Sequence, residues 1–252
     1  MSNKAWSLIF NELKITNHNF DKSPFYISSK EIKEITKIFT KTADREVRII
    51  CKQDSRKARP EIFKELNLFI LPIKNGDYVI LKGDGYFDIN NLEEKSFSYI
   101  SKLDFELETV KIGNSEMQHL DFAYASSIIR TFCDDKDLVL TIRGRKYTPE
   151  FDFNFNNHKI YVKGVQTEVD AGYESRNKIV LIEAKNSKTQ NIIIRQIFYP
   201  FRQWQQFTNK KVIPLFFEKR NKEYCIWQYD FTDKNDYSSI KLIKSAKFYI
   251  EK

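Results

Sequence analysis

The sequence predicts an α/β (α+β) chain, a mixed β-sheet flanked by helices, preceded by a smaller module of helices and one hairpin. Two patterns carry that prediction. Apolar residues recur at helical spacing in some stretches and form short alternating or unbroken apolar runs in others. In the second half these patterns follow the order helix, strands, helix, strands, which builds a mixed sheet with helices against it. No internal repeat or low-complexity tract interrupts them.

In the first half, Ser28-Ser29-Lys30-Glu31 reads as a capping box, and Ile32, Ile35, Ile38 and Phe39 then give a helical apolar stripe. Pro60 suits the first turn of a helix over Glu61 to Leu66. Leu68 to Pro72 and Tyr78 to Leu81, joined by Lys74-Asn75-Gly76-Asp77, read as a hairpin with an Asn-Gly turn. Helices followed by such a hairpin suggest a winged-helix-like domain, assigned to residues 1–110, with the second domain over 111–252. There, Ser115 to Thr131 reads as a helix. Strand patterns follow at Leu138 to Arg143, Phe151 to Phe155, Ile160 to Val162, Val165 to Asp170 and Lys178 to Ala184. A helical pattern over Asn191 to Phe207 contains Pro200, which should kink or split it. Strands resume at Lys211 to Phe217 and Tyr224 to Phe231, with an apolar stretch at Phe248-Tyr249-Ile250.

Composition narrows the partners. The 252 residues carry a net charge of +8, so an anionic partner is favoured, with nucleic acid first. Cys51, Cys133 and Cys225 are odd in number and far apart, which fits a reducing compartment better than a disulfide framework. The start Met1 to Trp6 has no apolar signal core, and no run of about 18 apolar residues occurs. The expectation is a soluble cytoplasmic protein with no membrane partner. His18, His119 and His158 stand apart, without the spacing of a zinc site.

The chemistry concentrates between Gln166 and Asn186. In Val165 to Asp170 the polar residues Gln166, Glu168 and Asp170 share one strand face, with Val165, Thr167 and Val169 opposite. In Ile179 to Lys185, Glu183 and Lys185 likewise share a face, roughly 7 Å apart along the strand. Gly172 and the polar segment Glu174 to Lys178 make a turn between them. If the strands pair as an antiparallel hairpin, Asp170 or Glu168 lies near Glu183, forming a hard-oxygen pocket suited to Mg²⁺. A surface ion pair between Glu183 and Lys185 is the plainer alternative. Against it, Ile179-Val180-Leu181-Ile182 is an apolar strand, at whose end a buried charge without a partner or metal would be costly.

This constellation, Asp170 followed by Glu183-Ala184-Lys185 on the next strand, resembles the PD-(D/E)XK nuclease signature. The flanking text from Val165 to Glu174 and from Leu181 to Asn186 resembles type II restriction endonucleases, and Lys52 to Phe63 resembles the winged-helix part of some of them. Val169 stands where the signature carries proline. The resemblance implies a restriction-endonuclease-like core that hydrolyses double-stranded DNA at a fixed sequence with Mg²⁺. Asp170 and Glu183 would hold the metal with the Ala184 carbonyl, and Lys185 would orient or deprotonate the attacking water. Glu168 competes with Asp170 as the upstream ligand, and Glu116 is a further accessory acid. A homodimer is expected, since a symmetric site has two strands to cut.

Candidate DNA contacts are Arg56, Lys57 and Arg59 in the first half, then Arg143 and Arg145 around Gly144, and Arg202 and Gln203 on the helix after the motif. Acids interspersed with the first group, Asp44, Glu46, Asp54 and Glu61, also suit a solvated helix face with local ion pairs. Two alternatives to a restriction enzyme stand: a structure-specific repair or junction-resolving nuclease, and a non-catalytic winged-helix DNA-binding protein.

Overall fold

The computed structural model describes residues 2–92, 96–186 and 188–251. Its first part runs α1 (Asn3–Glu12), β1 (Phe25–Ser28), α2 (Ser29–Thr36), α3 (Thr42–Arg45), α4 (Val47–Ile50), α5 (Glu61–Glu65), β2 (Leu68–Lys74) and β3 (Asp77–Lys82). The capping box at Ser28 forms as expected: Glu31 N–H donates to the Ser28 hydroxyl, and the Ser28 N–H donates to the Glu31 carboxylate. β2 and β3 pair as the expected hairpin around Asn75-Gly76, and β1, which the sequence pattern did not reveal, pairs antiparallel with β3. The strand order is therefore β1-β3-β2.

This small sheet is buried on both faces. Leu68, Ile70 and Ile80 pack against the helices with Trp6, Phe10 and Phe63, the Trp6 and Phe63 rings lying 4.7 Å apart edge to face. Phe69, Leu71, Val79 and Leu81 point the other way, into the core of the second half. Period-two alternation within an unbroken apolar run thus places each strand's residues in two cores at once.

The second part comprises β4 (Tyr86–Asp88), β5 (Phe97–Ile100), α6 (Glu116–Ala125), α7 (Ile128–Phe132), β6 (Val139–Tyr147), β7 (Phe151–Phe155), β8 (His158–Val162), β9 (Gln166–Glu174) and β10 (Lys178–Lys185). β11 (Asn191–Ile193), α8 (Arg195–Gln205), β12 (Lys211–Arg220), β13 (Glu223–Phe231) and β14 (Ile240–Glu251) follow. Seven strands form the main sheet in the order β5-β14-β13-β12-β10-β9-β6. It is mixed, as expected: β10 and β12 are parallel, as are β14 and β5, and the remaining pairs are antiparallel. One face buries Ile179, Leu181 and Phe216 against α8, the β7–β8 hairpin and the small sheet. The other buries Val180, Ile182 and Phe217 against α6 and α7. Strands β4 and β5, which a division at residue 110 assigns to the first half, pair with β11 and β14 of the second.

Several local expectations change. The helix expected over Ser115 to Thr131 is two, because Ser126 turns its hydroxyl back onto the Phe122 carbonyl at 2.8 Å and Ser127 takes φ +69°. The pattern over Asn191 to Phe207 is a short strand and then α8, which runs through Pro200 without splitting. Gly172 lies inside β9, opposite Leu181, not in a turn. A Cβ there would sit 2.6 Å from the Ile142 Cβ, so glycine is what lets β6 lie close to β9. Gly144 lies within β6, at a register shift and with φ +74°.

Gly172→Ala should therefore lower stability by about 1–3 kcal/mol through overpacking. Urea denaturation followed by tryptophan fluorescence measures it, and an unchanged midpoint would contradict the close approach of β6.

Candidate active site

β9 and β10 pair only from Ala171 to Glu174, against Ile179 to Ile182. Beyond that point they part, β9 continuing along β6 and β10 continuing along β12 to Lys185. Asp170, Glu183, Ala184 and Lys185 stand at this fork. With the backbone ladder ended, the Asp170 carboxylate accepts the Ala184 N–H at 2.7 Å. The two strands deliver acids and lysine to one point, as the sequence pattern predicts.

Glu183 is almost wholly buried and makes an ion pair with Lys185. It also accepts the Gln196 side-chain N–H at 2.8 Å, and the Lys185 ammonium reaches the Ala184 carbonyl at 3.1 Å. Burial pushes the Glu183 carboxyl up to about 7, with Asp170 adding to the rise and Lys185 opposing it. Burial likewise raises Asp170, against the lowering effects of the Ala184 amide and Lys185. Burial alone would depress the Lys185 ammonium, but Glu183, Asp170 and Glu116 outweigh it and hold it above the ordinary lysine value. Lys185 is thus a cation near neutral pH.

Glu116 opens α6 behind its Ser115 cap, accepts the Asn186 N–H at 3.1 Å and lines the same cleft. Glu168 also lines the cleft but is exposed, 3.4 Å from Arg145 on the neighbouring strand. Of the two upstream acids, Asp170 is the one bonded into the fork. Among the described residues no group of three or more His, Cys, Asp or Glu is arranged to hold a metal. The donor set nevertheless suits a hard cation: two carboxyls that burial raises, Glu183 further raised by Asp170, beside a main-chain carbonyl.

The expected DNA contacts separate into two sorts. Arg202 and Gln203 are buried and hold the fold: Arg202 donates to the Asp152 carbonyl at 2.9 Å, and Gln203 accepts the Thr167 hydroxyl at 2.6 Å. Their helical spacing suggested a polar stripe facing DNA, but Arg202 turns onto β7 and Gln203 onto β9 and β6. Arg56 is engaged by Asp84, Asp88 and the Tyr86 carbonyl. Arg59 donates to the Leu68 carbonyl at 3.2 Å, and Arg143 pairs with Asp121. Lys57 and Arg145 are exposed.

The fork opens into a cleft of about 700 Å³ whose far wall belongs to the first half, with Arg48, Lys52, Gln53, Asp54 and Tyr78. Arg195 and Gln196 at the start of α8 complete it. Arg48 and Lys52 belong to the basic run from Arg45 to Arg59 that the sequence marks as able to grip phosphate, whereas Gln53, Asp54 and Tyr78 meet the motif only through the packing of the two halves.

Residues 81–249 match the family described as a domain of unknown function, DUF6997, and residues 3–80 match a second domain of unknown function, DUF6996. The chain belongs to the DUF6997 family. The joint between the two matches falls inside β3, the strand that serves both cores. No curated protein and no solved structure matches the chain. No helix among the described residues is long and apolar enough to cross a membrane.

Because the folded Glu183 value lies above the ordinary 4.5, its contribution to stability is present below that pH and lost as pH rises through about 7. In metal-free protein Glu183→Gln should therefore gain on the wild type as pH rises from about 5 to about 8. Thermal melts across that range would show the melting temperature of the variant minus that of the wild type become more positive, and a constant difference would contradict the burial of the charge.

Proposed function

We propose that the chain is a Mg²⁺-dependent endodeoxyribonuclease, with type II site-specific cleavage of double-stranded DNA as the leading form. The observation that carries this reading is the fork, where Asp170, Glu183 and Lys185 meet at the floor of a cleft with cationic walls. The small first module, with helices followed by a β1-β3-β2 sheet, is consistent with a winged-helix-like DNA-binding unit.

Asp170 and Glu183 would hold the cation with the Ala184 carbonyl, and the cation would supply charge neutralisation at the scissile phosphate. Lys185, held protonated by its carboxylate neighbours, donates a hydrogen bond to the attacking water and offsets negative charge as the phosphate becomes pentacoordinate. That favours orientation over proton abstraction as its task. Gln196 fixes the Glu183 carboxylate through one amide hydrogen. Glu116 holds the turn after the motif through the Asn186 N–H, which keeps Lys185 in register. Arg145 and Lys57 are the remaining exposed cations of those expected to touch the phosphodiester backbone.

The purified chain, incubated with phage DNA and Mg²⁺, should give discrete fragments, and EDTA should abolish them. Asp170→Ala and Lys185→Ala should each cut at least about a hundredfold more slowly while still binding DNA. Nicking confined to branched or flapped DNA would favour a structure-specific nuclease. Full cutting by either variant would overturn the site.

A further inference from the structure

Gln53 stands in the loop between α4 and α5, on the wall of the cleft that faces the catalytic carboxylates. Its side chain is 2 % exposed, yet neither its amide nitrogen nor its amide oxygen has a hydrogen-bond partner. A buried carboxamide without partners is costly, so such a group normally meets either water or a ligand. The backbone around it is tied to neighbouring strands. The Gln53 carbonyl accepts the Tyr86 hydroxyl at 2.8 Å, and the Asp54 carbonyl accepts the Ile193 N–H at 3.0 Å. The Arg56 N–H donates to the Asn191 side chain at 2.7 Å. The loop is thus fixed to β4 and β11, immediately before the helix that carries Gln196. The carboxamide is left unpaired on a loop that is held in place.

We propose that Gln53 reads the substrate, its paired donor and acceptor meeting the complementary edge of a nucleobase, adenine foremost, while Arg48 and Lys52 hold adjoining phosphates. Adenine offers an acceptor and a donor side by side, the pattern that a glutamine amide satisfies with two bonds. Arg48 and Lys52 are exposed and line the same wall, so they can contact phosphate without giving up a buried ion pair. The inference rests on the nuclease reading and adds the residue that selects the sequence.

The test is cleavage of a randomised duplex library in Mg²⁺, with the cut ends sequenced, for the wild type, Gln53→Met and the double variant R48A/K52A. Methionine fills the same volume without the stranded amide, so its melting temperature should equal or exceed that of the wild type. Wild-type ends should share an adenine near the cut, and Gln53→Met should relax that position by about tenfold or more while still cutting. The double variant should bind all sequences more weakly, with a shallower salt dependence. If Gln53→Met keeps the wild-type base preference, the amide is solvated by water alone and the proposal falls. A relaxed position that is not adenine overturns the choice of base. Absence of both binding and cutting by the wild type would instead defeat the nuclease reading.

Discussion

The cost of burying the Glu183 charge governs the arrangement around it. Ile179 to Ile182 are packed into the cores on both faces of the main sheet, so the strand carries its next residue into a site that water barely reaches. An isolated carboxylate there would be protonated or expelled. Here it is met by Lys185, by the Gln196 amide and by a second acid whose own charge aggravates the problem. Two raised carboxyls next to each other are poorly suited to structural support, since an apolar pair would serve better. They are well suited to a cation, and sites that shift ionisation in this way concentrate at functional centres.

The fork exists because β9 keeps β6 along its whole length but loses β10 partway. Its close contact with β6 is secured at Gly172 and its contact with β10 ends at Ala171, so the side chains beyond face an opening instead of a ladder. The wall opposite is held just as firmly. The small sheet gives one face to each core, and the Tyr199 hydroxyl donates to the Pro72 carbonyl across the boundary at 3.0 Å. With apolar packing running from one half into the other, separating them would expose much of both cores. The cleft is therefore a fixed feature between two matched family domains, not a seam between loosely tethered ones.

Much of this was legible in the chain. The alternation of Glu168 and Asp170, and of Glu183 and Lys185, predicted the shared faces, and the apolar run before Glu183 predicted its burial. The hairpin at Asn75-Gly76 and the Ser28 capping box followed from short-range chemistry. What could not be read were relations between distant segments. Arg202 and Gln203 look available until β7 takes the one and β9 and β6 the other, and Arg56 looks available until Asp84 and Asp88 reach it. Gly172 reads as a turn residue because glycine's close-packing use depends on Ile142, thirty positions upstream and on another strand. Gln53 falls in the Lys52 to Phe63 stretch that resembles a winged-helix part, but its place on the cleft wall arises only from the packing of the two halves.

The claim on which the account stands is that the fork binds a divalent cation through Asp170 and Glu183. Mn²⁺ titration followed by electron paramagnetic resonance, paired with calorimetry in buffers of different ionisation enthalpy, tests it without any nucleic acid present. Saturable binding is expected, and Asp170→Asn and Glu183→Gln should each weaken it severely. Release of on the order of one proton per ion near pH 6 is also expected, fading towards pH 8 as the Glu183 carboxyl ionises unaided. Binding that survives both substitutions, or no saturable binding in the wild type, would contradict it.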